Sequence, residues 1–154
     1  MIYFDNAATG GFKPRATTDT ANTVIRFLSA NPGRSSHRLS LAGAELVFNT
    51  RTILAEYFTA TPERVIFTKN CTEALNVAIF GSLKKGGHVI TTTFEHNSVL
   101  RPLFALKNNA LIELDVVEPD ENGNILSRIE EKIKDNTYLI VATALSNVTG
   151  ERMP

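Results

Sequence analysis

Three apolar runs rich in β-branched residues each break off into a compact polar cluster. VIFT (65–68) runs into KNCTEALN, HVITTT (88–93) into FEHNSV, and YLIVATAL (138–145) into SNVTG. Runs of this composition with helical patterns between them read as parallel strands. The alternation predicts an α/β fold, three layers deep (α/β/α), with a mainly parallel sheet and helices on both faces. In open sheets of that kind ligands bind beyond the carboxyl ends of the strands. The three polar clusters are therefore expected to converge on one crevice.

The rest of the chain fits that frame. Pro14 can open a helix whose apolar stripe is Ala21, Val24, Ile25 and Leu28. NPGRSS (31–36) reads as a loop, and a long helix follows through Leu39, Ala42, Leu46, Ile53, Leu54 and Phe58. TPER (61–64) is a turn. Val65–Thr68 is expected to be the first strand of the sheet. Leu75, Ala78, Ile79 and Leu83 mark a helix ended by Gly86-Gly87. Strands follow at 89–93, 111–117 and 138–145. A helix over 99–108 tolerates Pro102 if it lies in the first turn. A turn centred on Asn122-Gly123 leads to a short helix opened by the capping-box pair Ser127 and Glu130.

Composition narrows the function. At 154 residues the chain is about one domain. Lys plus Arg and Asp plus Glu are 16 each, and no basic stripe stands out, which argues against nucleic acid. No apolar stretch reaches the roughly 20 residues of a membrane span. MIYFDNAATG lacks the pattern of a signal peptide. A single cysteine permits no internal disulfide, and a reducing cytoplasm is the expected setting. No metal site is expected.

Each cluster has a chemical reading beside a plain one. Asn70-Cys71-Thr72-Glu73 lies between a strand and a helix N-terminus, where free N–H groups and the Thr72 hydroxyl suit a phosphate. Asn70 and Glu73 also have capping-box spacing, and a capped end can still hold an anion. His96 lies just past a strand's carboxyl end, where its ring could stack on a flat cofactor or move a proton. His88, at the amino end of the same strand, is expected on the surface. Asn147 can donate to an oxygen substituent on a ring, or simply form a turn. No G-x-G-x-x-G or P-loop follows the first strand, which weakens a nucleotide-binding reading.

Five segments, in order, carry a resemblance: YFDNAATG (3–10), NPGRSSHRLS (31–40), VIFTKNCTEALN (65–76), TTFEHNSVLRP (92–102) and SNVTG (146–150). As a set they resemble the amino-terminal part of cysteine desulfurases, in the class V aminotransferase family of fold-type I pyridoxal 5′-phosphate (PLP) enzymes. The resemblance implies that Thr72, with the backbone at Cys71, binds the cofactor phosphate. His96 would stack on the pyridine ring and act in proton transfer, and Asn147 would bond the phenolic oxygen. Asn6, Ala7 and His37 would lie near the substrate. The intact reaction would convert L-cysteine to L-alanine and pass sulfur to a protein thiol, in a homodimer that meets a sulfur-acceptor protein. Selenocysteine lyase, another class V activity and a non-catalytic interaction module are the alternatives.

The resemblance also implies what is missing. The Schiff-base lysine, the carboxylate facing the pyridine nitrogen, the sulfur-accepting cysteine and the substrate-binding arginine lie in family segments after the SNVTG strand. Cys71 occupies a phosphate-loop position and is not the expected nucleophile. Lys69 is expected to be charge-paired or solvated. Residues 1–13 then form an arm, and 14–154 a PLP-transferase large domain cut before its sheet is complete. Such a chain is expected to be inactive alone.

Overall fold

A computed structural model describes residues 2–6, 8–34, 36–121 and 123–153; Ala7, Asn122 and Pro154, named above, lie outside them. The chain forms two compact units, Met1–Phe67 and Thr68–Pro154.

The first unit is helical. Helix α1 (Arg15–Phe27) starts directly after Pro14 and buries none of its residues; Ile25 is 70% exposed. Helix α2 (Arg38–Tyr57) is capped by His37, whose Nδ1 accepts the Ser40 N–H at 3.3 Å. Buried Ser40 donates its hydroxyl to the Asn31 carbonyl at 2.7 Å, fastening the NPGRSS loop to the helix start. TPER forms a 3-10 turn, Pro62–Arg64. Beyond it the first expected strand is not assigned. Val65 is extended (φ −89°, ψ 117°), but 65–68 pair with no strand among the described residues. Extended chain becomes a strand only with a neighbour to take its N–H and C=O groups.

The second unit holds the sheet. Helix α3 (Cys71–Gly81) leads to strand β1 (Gly87–Thr92), helix α4 (Asn97–Asn108), strand β2 (Ile112–Val117), helix α5 (Leu126–Lys132) and strand β3 (Thr137–Val141). The sheet order is β2-β1-β3 and both pairings are parallel. Val89 and Leu114 are register partners, and with Ile79, Val99, Leu103, Leu106 and Ile112 they form one core under α3 and α4. The next residue of β1 points the other way, and Ile90 packs with Val117, Ile125 and Ile129 of the opposite layer. The expected α/β fold with helices on both faces of a parallel sheet is thus observed in this unit.

Central placement explains one correction. All six residues of β1 are buried. His88 is therefore fully buried rather than on the surface, its ring nitrogens 2.7 Å from Thr137 Oγ1 and 3.2 Å from Asp115 Oδ2.

Other corrections concern boundaries. Helix α3 stops at Gly81, capped by Ser82, so Gly86-Gly87 does not end it. Gly86 instead takes φ +75° to turn the chain into β1 and donates to the Leu111 carbonyl at 2.8 Å. Helix α4 begins two residues early, which moves Pro102 out of the first turn and into the helix interior. Ser127 lies inside α5 and does not cap it; Asn124 Oδ1 accepts the Leu126 N–H at 3.0 Å instead. Strand β3 ends at Val141, and Leu145 makes an isolated antiparallel bridge to Arg152.

Candidate functional site

The start of α3 is built by local bonds. Asn70 Oδ1 accepts the Glu73 N–H at 2.9 Å, and Glu73 Oε2 accepts the Lys69 N–H at 2.7 Å. This is capping-box chemistry displaced by one residue at its return bond. Glu73 also pairs with Lys69 at 3.9 Å, so the lysine is charge-paired, as expected. The cap satisfies the third N–H of the helix. The N–H groups of Cys71 and Thr72 ahead of it have no acceptor among the described residues. Two donors at the positive end of a helix dipole and an exposed Thr72 hydroxyl favour an anion. Cys71 is exposed as the first residue of α3.

The second part follows β1. His96 is the N-cap of α4: its Nδ1 accepts the Ser98 N–H at 3.1 Å and lies 2.8 Å from Ser98 Oγ. A ring nitrogen that accepts a backbone N–H carries no proton, so neutral His96 holds its proton on Nε2. In that state the ring is a donor at Nε2 and presents a flat face.

Thr72 and His96 line one open cavity of about 440 Å³. Its walls are two helical stripes of four-residue spacing: Thr72, Asn76 and Phe80 on α3, and Asn97, Arg101 and Ala105 on α4. Asn76 is fixed by donating its side-chain amide to the Thr72 carbonyl at 2.8 Å. Arg101 was not singled out from the sequence. Its distance of four from Asn97 was the available signal, and it needed the α4 boundary to be read. Arg101 adds a cation to the wall and forms no ion pair with a described residue.

The other sequence candidates fall elsewhere. Asn147 is exposed, on the turn after buried Ser146, and does not line this cavity. Ser146 Oγ accepts the N–H groups of Val148 and Thr149, each at 3.3 Å, which shapes that turn around Asn147. Asn6 and His37 belong to the first unit. Asn6 accepts the Gly11 N–H at 3.0 Å and donates to the Tyr3 carbonyl at 3.3 Å, folding the arm on itself. His37 is exposed and caps the start of α2.

The second unit is thus a parallel α/β fold in which an exposed helix start and a strand-end histidine line one cavity, at the end of the sheet where open α/β folds commonly bind ligands. The profile of the Aminotransferase class-V family matches residues 2–154, and the chain belongs to that family. A probable cysteine desulfurase of Pyrococcus abyssi is 33% identical over 154 residues, covering 97% of this chain and 38% of the relative. The apo structure of cysteine desulfurase from Thermococcus onnurineus NA1 superposes with a TM-score of 0.85 at 35% identity, over 95% of this chain and 37% of that one. The structure of SspA in complex with cysteine gives 0.88 at 27% identity, over 100% of this chain and 45% of that one. The chain thus spans less than half the length of each of these relatives. No helix among the described residues is long and apolar enough to cross a membrane.

Proposed function

We propose that this chain supplies one wall of the PLP site of a cysteine desulfurase. The observation that carries the reading is the shared cavity of Thr72 and His96, between a helix start with two free N–H donors and a strand-end histidine. Family membership makes PLP the group to test, and the donor set fits it. Cys71 and Thr72 N–H and the Thr72 hydroxyl would hold the phosphate. Arg101 would balance its charge, the His96 ring would cover the pyridine face, and Asn147 would donate to the phenolic oxygen. When bound, PLP supplies an electron sink for an amino-acid carbanion.

The residues here bind and orient. The phosphate end is preset, because the Asn70–Glu73 cap fixes α3 before any ligand arrives. The His96 ring is preset by its bond to Ser98. Any proton His96 gives leaves from Nε2. L-cysteine is the proposed substrate, supported by similarity to cysteine desulfurases and to a protein solved with cysteine.

The test uses 4-deoxypyridoxine 5′-phosphate, which keeps ring, phenolic oxygen and phosphate but lacks the aldehyde. The chain is expected to bind it in competition with inorganic phosphate. Thr72→Val should weaken both by about tenfold, the worth of one charge-assisted hydrogen bond. Equal affinity in wild type and Thr72→Val would remove the phosphate assignment.

A further inference from the structure

The two strand ends that carry His96 and Asn147 are tied together through a single carboxylate oxygen. Glu95, next to His96, is only 9% exposed. Its Oε1 accepts the Thr92 hydroxyl at 2.8 Å and the Thr143 N–H at 2.6 Å. Thr92 is the last residue of β1, and Thr143 lies two residues past the end of β3.

The bonds around this oxygen extend in both directions. Thr92 Oγ1 also accepts the Phe94 N–H at 3.3 Å, tightening the turn that delivers His96. The Thr143 hydroxyl donates to the Leu145 carbonyl at 3.0 Å, passing the constraint toward the turn that holds Asn147. The last ladder partners of β1 and β3 are Thr91 and Val141. Beyond them the two segments leave the sheet, and the Glu95 bridge joins them past the final pair. A buried carboxylate accepting short bonds is strong, and deleting it strands its donors.

We propose that Glu95 is a positioning residue that sets the spacing of His96 and Asn147, so that a single ring is held by its face and by its oxygen. This rests on the cofactor reading above. Glu95 acts through its neighbours and touches no reacting atom.

The experiment compares Glu95→Ala with Glu95→Gln, which keeps an oxygen acceptor. Two probes are titrated, 4-deoxypyridoxine 5′-phosphate and inorganic phosphate, and amide hydrogen exchange is followed by NMR. In Glu95→Ala the ring-bearing probe is expected to bind at least tenfold more weakly, while inorganic phosphate stays within about twofold. Protection at Thr143 and at 148–149 should fall, the His96 and Asn147 side-chain resonances should shift, and amides of 89–91 should stay protected. Glu95→Gln should restore all of these. An unchanged ratio of the two affinities would overturn the proposal. So would intact protection at Thr143, or a loss that spreads equally through β1. A wild-type chain that binds neither probe sinks the cofactor reading by itself. The exchange and side-chain resonances then still decide whether Glu95 holds the two ends in register.

Discussion

His96 has two tasks that substitution can separate. Its Nδ1 caps α4, and its ring lines the cavity. Asparagine is a good N-cap without a ring, so His96→Asn should unfold within a degree or two of wild type. His96→Ala should lose about 1 kcal/mol, the usual worth of a cap. Both should bind 4-deoxypyridoxine 5′-phosphate more weakly. Normal binding by His96→Asn would show that the ring contributes nothing to the site. A lone histidine is more often structural, and His96 was legible because it lies just past a strand's carboxyl end beside two other strand-end clusters. The sequence hid the cap, which depends on where α4 begins. His88 was misread for the opposite reason: its burial comes from β1 lying between two strands, a fact of sheet order that no local pattern carries.

Among the elements, β1 places the tightest demand on a single position. A Cβ at Gly87 would sit 2.5 Å from Tyr138 Cδ1 and 3.0 Å from the Lys84 carbonyl oxygen. Gly87→Ala must push the β3 ring away, and overpacking of this kind costs about 1–3 kcal/mol. Chemical denaturation should read that loss, with a wild-type midpoint as the contrary result. The 3-10 turn offers a pH test. The Glu63 carboxyl is held below its ordinary value first by its own backbone N–H, then by Thr61, with a smaller pull from Arg51. A depressed folded pKa means the turn gains from the charged form above the unfolded value, and loses that gain as pH falls through the folded one. An NMR titration should place Glu63 below ordinary glutamates, and Glu63→Gln should flatten the acid response of 62–64. Helices with long periodic stripes, such as α2 and α4, were readable in outline. The ends were not, since Asn124 and Ser82 cap through geometry that spacing only approximates. VIFT has the composition of a strand, but pairing is decided by a neighbour, and the described residues provide none.

The whole molecule leaves much apolar surface uncovered. Phe4 is 93% exposed, Tyr57 81%, Ile66 73% and Phe58 69%, while Ile140 on the outer strand β3 is 45% exposed. Among the described residues, strands β2 and β3 each have one unpaired side. Solitary exposed apolar residues are ordinary, but so many large ones, together with open sheet edges, favour association. The solved relatives are more than twice as long as this chain, which covers 37% and 45% of them. Sheet edges and apolar faces of this kind are what a longer chain or a second copy would cover, at roughly 25 cal/mol for each Å² removed from water. The 154-residue chain by itself should therefore self-associate as its concentration rises in sedimentation velocity and should brighten an apolar dye. Lys or Glu placed at Ile140 should reduce both signals, because charge on an edge strand opposes pairing. A concentration-independent monomer that leaves the dye dark would mean that these faces are satisfied within the chain.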